Sequence, residues 1–211
     1  MTLTFYDCST APSPRRARMV IAEKRVPVKT VEIDLRSGEH FSDAFRAINP
    51  RCTVPVLTLS DGTALCDNAA IARYLEEVFP EPPLMGSTPL EKAFVAEWVQ
   101  RVEFEGLMAV MEVLRNSSKA LKDRALPGPK PVAQIPELAE RGRERGAHFF
   151  TVLDERLAET PWLGGDSFSI ADISAYVFVE FAQWVKLAPD EDQIHLARWR
   201  EAVAARPSGQ V

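Results

Sequence analysis

The chain has 211 residues, 46% of them apolar and 26% charged, with a formal net charge of −5. That length suffices for one large domain or two small ones, and the composition is that of an ordinary water-soluble protein. The acidic balance excludes a nucleic-acid footprint, and no apolar run approaches the roughly 20 residues that span a bilayer. No signal peptide is read in MTLTFYDC, which lacks a basic segment followed by an apolar one. Cys8, Cys52 and Cys66 form no CxxC pair and cannot all pair with one another. This points to a reducing, cytoplasmic compartment rather than a disulfide scaffold.

Leu3–Tyr6 alternates as a first strand. A turn-rich stretch, Asp7–Pro14, precedes RRARMVIAEK, whose Ala17, Val20 and Ile21 form a short helical stripe. Pro14 suits the first helical position, where its missing N–H costs nothing. Val26–Ile33 returns to β-type residues, so a strand–helix–strand unit with parallel pairing is expected. Ser37–Ile48 reads as a short polar helix or turn.

Asn49–Glu76 (NPRCTVPVLTLSDGTALCDNAAIARYLE) is the densest stretch of signals. Val54-Pro55 stands just before the apolar pair Val56-Leu57, where a proline marks a strand's start. The bond is compatible with either a trans or a cis peptide. Asp61-Gly62 marks a hairpin turn. Asp67 and Asn68 stand where the next helix begins, either as a plain helix cap or as a site for an amine and a carboxylate. Up to this point the order β-α-β-α-β-β-α describes a small α/β domain with a mixed sheet, residues 1–80.

Residues 81–88 are a proline-rich linker, within FPEPPLMGS. The remainder, residues 89–211, reads as all-helical. Thr88-Pro89-Leu90-Glu91 is a capping box opening a long helix that runs to about Arg115. A charged, proline-containing connector follows from Ser117 to Gln134, then a helix from Pro136 to about Ala158. Ser169-Ile170-Ala171-Asp172 is a second capping box, opening a helix to Lys186. That helix is apolar nearly all round, including Tyr176, Phe181 and Trp184, so it is expected to be buried. A last helix covers about Gln193–Ala205.

NPRCTVPVL, LCDNAAIARYLE and FSIADI, in that order and spacing, resemble the glutathione S-transferase family over essentially the whole chain. The fuller set, with APSPRRAR, LRSGEHFSDAFRAINP and STPLEKA, is most similar to an atypical fungal and bacterial subgroup. That subgroup includes a yeast transferase without the usual Ser, Tyr or Cys catalyst. The resemblance implies a thioredoxin-like α/β domain with a mixed four-stranded sheet, followed by an all-α domain. It implies glutathione as co-substrate, an apolar electrophile as second substrate, a homodimer, and no metal.

It also implies roles. Val54, before a cis Pro55, pairs its backbone with the cysteinyl part of glutathione. Asp67 takes the γ-glutamyl amino group. Asn68, where the family usually has serine, donates to the γ-glutamyl carboxylate. His40 matches a position that reaches the glycyl carboxylate, and Thr53 stands where a lysine is frequent. Asp172 is structural. For thiol activation, Ala11 occupies the position that often carries Ser or Cys; Ser9, Thr10 and Ser13 flank it on the loop. In the atypical subgroup a water held by groups on the long helix, or backbone amides, takes the role, with Arg115 and Asn116 at the corresponding end of that helix here. Three functions fit: a glutathione transferase, a non-catalytic binding or regulatory relative, and a thiol-transferase using Cys8. Cys52 and Cys66 are expected to pack as small apolar residues.

Overall fold

The structure, a computed structural model, describes residues 2–211. It divides into two compact units: residues up to Pro82 with Pro127–Lys130 and Val211, and Pro83–Leu126 with Pro131–Gln210.

In the first unit the elements run β1 (Leu3–Asp7), α1 (Pro12–Glu23), β2 (Val28–Glu32), α2 (Asp43–Ile48), β3 (Val56–Thr58), β4 (Ala64–Leu65) and α3 (Asn68–Val78). The four strands lie in the order β2-β1-β3-β4. β1 pairs parallel with β2, as expected of a strand–helix–strand unit, and β3 pairs antiparallel with β1 and with β4. The sheet is therefore mixed.

Alternation along β1 points Leu3, Phe5 and Asp7 to a buried face. A second apolar cluster joins Cys8, Ile33, Phe45, Val54 and Val56. The Asp61-Gly62 turn closes the β3–β4 hairpin with Gly62 at φ 88 and the Thr63 N–H on Asp61 Oδ1 at 2.9 Å. α1 starts earlier than the sequence suggests, at Pro12, because Pro12 and Pro14 both fit a first turn whose N–H groups have no intrahelical acceptor. Lys24 fastens the end of α1. Its fully buried Nζ donates to the carbonyls of Phe79 and Pro82 at 2.7 and 2.8 Å and lies 2.7 Å from Glu76 Oε2.

The second unit contains α4 (Pro89–Arg101), α5 (Met108–Ser117), α6 (Pro136–Glu159), α7 (Ile170–Ala182) and α8 (Ile194–Ala204). α4 and α5 belong to the one long helix read from the sequence, interrupted by a π-helical segment, Val102–Leu107. Both capping boxes are formed, at Thr88/Glu91 and Ser169/Asp172. α7 is buried nearly all round, as its pattern predicts. Trp184 is the exception: α7 stops at Ala182, a 3-10 turn follows, and Trp184 ends 56% exposed. No helix among the described residues is long and apolar enough to cross a membrane.

Candidate functional site

The pairing of the first unit brings several chain ends to one end of the sheet. Tyr6 lies opposite Val56 and Leu57 opposite Leu65. The end of β1, the entry to β3 and the exit from β4 are therefore neighbours. α1 and α3 both begin there. Val54-Pro55, a cis peptide, is the entry to β3, and no hydrogen bond engages the Val54 N–H or C=O among the described residues. Asp67, just past β4, caps α3: its Oδ1 accepts the Ala69 N–H at 2.8 Å. Asp67 is exposed and its second oxygen has no partner among the described residues. A strand-edge amide without a partner among the described residues, a carboxylate and a helix N-terminus thus lie at one place, a set whose chemistry suits a zwitterionic peptide.

Asn68, the first residue of α3, donates from Nδ2 to Ser13 Oγ at 3.0 Å. This joins the two helix N-termini. Thr53 is held from behind by Asn49, whose Nδ2 donates to the Thr53 carbonyl at 2.7 Å and to its Oγ1 at 3.1 Å. Asn49 Oδ1 also accepts the Arg51 N–H at 3.0 Å. Asn49 thus shapes the loop before Val54, a role the sequence reading missed although Asn49-Pro50 is a turn signal. His40 is 5% exposed with its ring 3.9 Å from that of Phe41, packed into the protein.

The loop between β1 and α1 is pinned from two sides. Ser9 donates from both N and Oγ to Glu32 Oε1, at 2.8 and 2.9 Å. Arg18 donates to Asp7 Oδ2 at 2.8 Å and to the Ser9 carbonyl at 3.2 Å. Thr10 Oγ1 lies 3.6 Å from Cys8 Sγ, and Cys8 is 5% exposed within the apolar cluster. Burial pushes the Asp7 carboxyl above the usual range, with the Arg18 guanidinium opposing it. Burial likewise raises the Cys66 thiol, against the charge of Arg51.

Residues 10–78 match the family model "Glutathione S-transferase, N-terminal domain", and residues 107–207 match "Glutathione S-transferase, C-terminal domain". Glutathione S-transferase 2 of Saccharomyces cerevisiae is 36% identical over 209 residues, covering 98% of this chain and 87% of the relative. The chain belongs to the glutathione S-transferase family. A solved glutathione S-transferase domain-containing protein from Marinobacter aquaeolei VT8 is 37% identical, with a TM-score of 0.89 over 99% of each chain. A glutathione S-transferase of class Gtt2 from Vibrio parahaemolyticus is 32% identical, with a TM-score of 0.83 over 98% of this chain and 95% of its own. These likenesses place the chain in the atypical fungal and bacterial subgroup, with the family's thioredoxin-like domain and helical domain.

Within the helical domain of this transferase-family chain, Arg115 and Asn116 hold the connector. Arg115 Nη1 donates to the Arg124 carbonyl at 2.8 Å, and the Arg115 carbonyl accepts from Gln134 at 2.7 Å. Burial and the neighbouring Arg124 lower the Arg115 pKa. Asn116 Oδ1 accepts the Ile135 N–H at 3.0 Å while its Nδ2 donates to the Glu112 carbonyl at 2.9 Å. Asp172 is fully buried, and its two oxygens accept from the Leu163 and Ser169 N–H groups, the Ser169 hydroxyl and Trp199 Nε1. Among the described residues, no group of three or more His, Cys, Asp or Glu side chains is placed to hold a metal ion.

Proposed function

We propose that this protein is a glutathione transferase: it binds glutathione as the thiolate and adds it to an apolar electrophile. The observation that carries this reading is the Val54 backbone, unpartnered among the described residues, beside the Asp67-capped start of α3. An extended peptide laid along Val54 gains main-chain hydrogen bonds. Its cysteinyl residue then faces the loop before α1, and its γ-glutamyl amine meets the open oxygen of Asp67. Pro55 shapes the entry to β3, while Thr53 and His40 flank the glycyl end. His40 is the weakest member of the set, since its ring is turned into the fold.

The burial of Cys8 and its packing against Val54 and Val56 favour a transferase over a Cys8 thiol-transferase. Arg115 and Asn116 are assigned to holding the connector, because their polar groups are engaged there. A homodimer is supported by Leu90, Phe94 and Phe104, large apolar side chains exposed along the α4–α5 helix. Light scattering after size exclusion checks it: a mass twice 23.5 kDa is expected.

Calorimetric titration with glutathione and turnover of a chloronitroaromatic substrate test the function. Saturable binding below millimolar concentration with thioether formation is expected. No binding at millimolar glutathione overturns the reading, and binding without turnover across several electrophiles makes the protein a non-catalytic relative.

A further inference from the structure

The connector between α5 and α6 is a closed loop with a tied base. The Val132 N–H donates to the Asp123 carbonyl at 2.9 Å, and the Ala125 N–H to the Val132 carbonyl at 3.1 Å. Arg115 holds the Arg124 carbonyl, and Gln134 Nε2 donates to the Ser118 carbonyl at 2.8 Å. The tip, Pro127–Lys130, packs with the first unit, which the chain left at Pro82. With Pro131 it reads Pro-Gly-Pro-Lys-Pro, so the fixed φ of its prolines leaves it little freedom to rearrange.

Gly128 makes the approach. Its φ of 114 suits glycine and strains other residues. A Cβ placed there would stand 3.6 Å from the Arg51 carbonyl oxygen, so the tip backbone lies close against that group. No hydrogen bond holds the Arg51 carbonyl among the described residues. Asn49 grips the rest of the Pro50–Thr53 loop: it accepts the Arg51 N–H on Oδ1 and the Cys52 N–H on its carbonyl, and donates to the Thr53 carbonyl. Cys52 sits at φ 54, a left-handed conformation that persists only where the surroundings enforce it. Val54 follows at once. The loop that sets the Val54 backbone is thus gripped by Asn49 and met at the Arg51 carbonyl by the connector tip.

We propose that the connector tip is a strap on the glutathione site. Gly128 is a positioning residue: it backs the Arg51 carbonyl and, through the Pro50–Thr53 loop, holds the Val54 backbone ready for an extended peptide. The inference rests on the glutathione reading above. With the tip seated, the loop is ordered before the ligand arrives, and binding loses less free energy to ordering it. The coupling is reciprocal, so bound glutathione holds the tip down by the same factor. Whatever loosens the connector weakens glutathione binding, although the connector touches the ligand nowhere in this scheme.

Two measurements test the strap. Pro127→Gly combined with Pro129→Gly keeps Gly128 and loosens the tip, while the tied base lies outside it, so the urea midpoint should hold. Calorimetry is expected to give a glutathione dissociation constant about fivefold weaker than that of the native protein, at the lower end of coupling between sites. The second measurement needs no variant. Trypsin cleavage after Arg124 requires the chain through the tip to come away, so saturating glutathione should slow it about fivefold in the native protein. A glutathione affinity unchanged in the glycine variant, or cleavage at Arg124 indifferent to glutathione, overturns the inference while the glutathione reading stands. Failure of the native protein to bind glutathione overturns both.

Discussion

Asp172 Oδ1 accepts a hydrogen bond from Trp199 Nε1 at 2.9 Å, in a part of the helical unit where both side chains are almost free of solvent. The carboxylate that caps α7 thereby also fastens α8. Removing it leaves the Leu163, Ser169 and Trp199 donors buried and unpaired, at about 1–3 kcal/mol each before relaxation. Asp172→Ala is therefore expected to destabilise by about 3 kcal/mol or more. Trp199→Phe, which removes one donor and keeps most of the apolar volume, is expected to cost about 1–2 kcal/mol. Urea unfolding followed by far-ultraviolet circular dichroism measures both, and an unchanged stability in Trp199→Phe would show that the carboxylate does not fasten α8 and is only a helix cap.

Asp67 has two duties that substitution separates. Its Oδ1 caps α3, while its charge is assigned to the ligand amine. Asp67→Asn retains a capping oxygen and removes the charge, so stability should change little. The glutathione KM is expected to rise roughly tenfold to hundredfold, the range of a charge-assisted hydrogen bond, with kcat nearly unchanged. Asp67→Ala adds a loss of about 1 kcal/mol of stability. A glutathione KM unaltered in Asp67→Asn would remove this residue from the clamp.

The difference between what could and could not be read from the sequence follows sequence separation. The Asp61-Gly62 hairpin and both capping boxes are set within four residues, and their chemistry is visible in the letters. The cap of α8 is not: Gln193 provides no side-chain cap, and the Leu196 N–H is taken by Asp154 from α6, 42 residues earlier. The same holds at the site. Asp67 and Val54 are recognisable in place, but only the fold shows that Ser9 is occupied by Glu32 and that Ser13 meets Asn68 across 55 residues. Arg115 and Asn116 look like available polar groups at a helix end until the returning connector takes them up. Trp184 continues an apolar pattern past the point where its helix has stopped.

Asp7 gives a pH dependence with a definite sign. Burial raises its pKa more than Arg18 lowers it. A carboxyl with a raised folded-state pKa adds stability that is full below its unfolded pKa, about 3.9, and is lost as pH rises through the folded value. The stability of the native protein relative to Asp7→Asn should therefore fall as pH rises above about 4. Thermal melting of the two proteins across that range measures it. A relative stability that grows with pH would mean that the Arg18 ion pair outweighs burial.

Two glycines one turn apart on α6 should respond oppositely to the same substitution. Alanine at either position gains up to about 1 kcal/mol of helix propensity over glycine. At Gly142 an added Cβ would meet the backbone carbonyl oxygen of Ala109, on α5, at 2.6 Å, with Val113 and Glu112 side-chain carbons at 3.1 and 3.2 Å. Backbone cannot rotate away, so α6 must lift from α5, an overpacking cost of roughly 1–3 kcal/mol that outweighs the propensity gain. At Gly146 the nearest atom is Leu187 Cδ1 at 3.1 Å, the far end of a flexible side chain, and the next atoms stand at 3.9 Å or beyond. Leucine can change rotamer where a carbonyl cannot move. Gly142→Ala is thus expected to lower the urea midpoint and Gly146→Ala to leave it unchanged or raise it. The same sign at both positions would refute close backbone contact as the reason for glycine at 142.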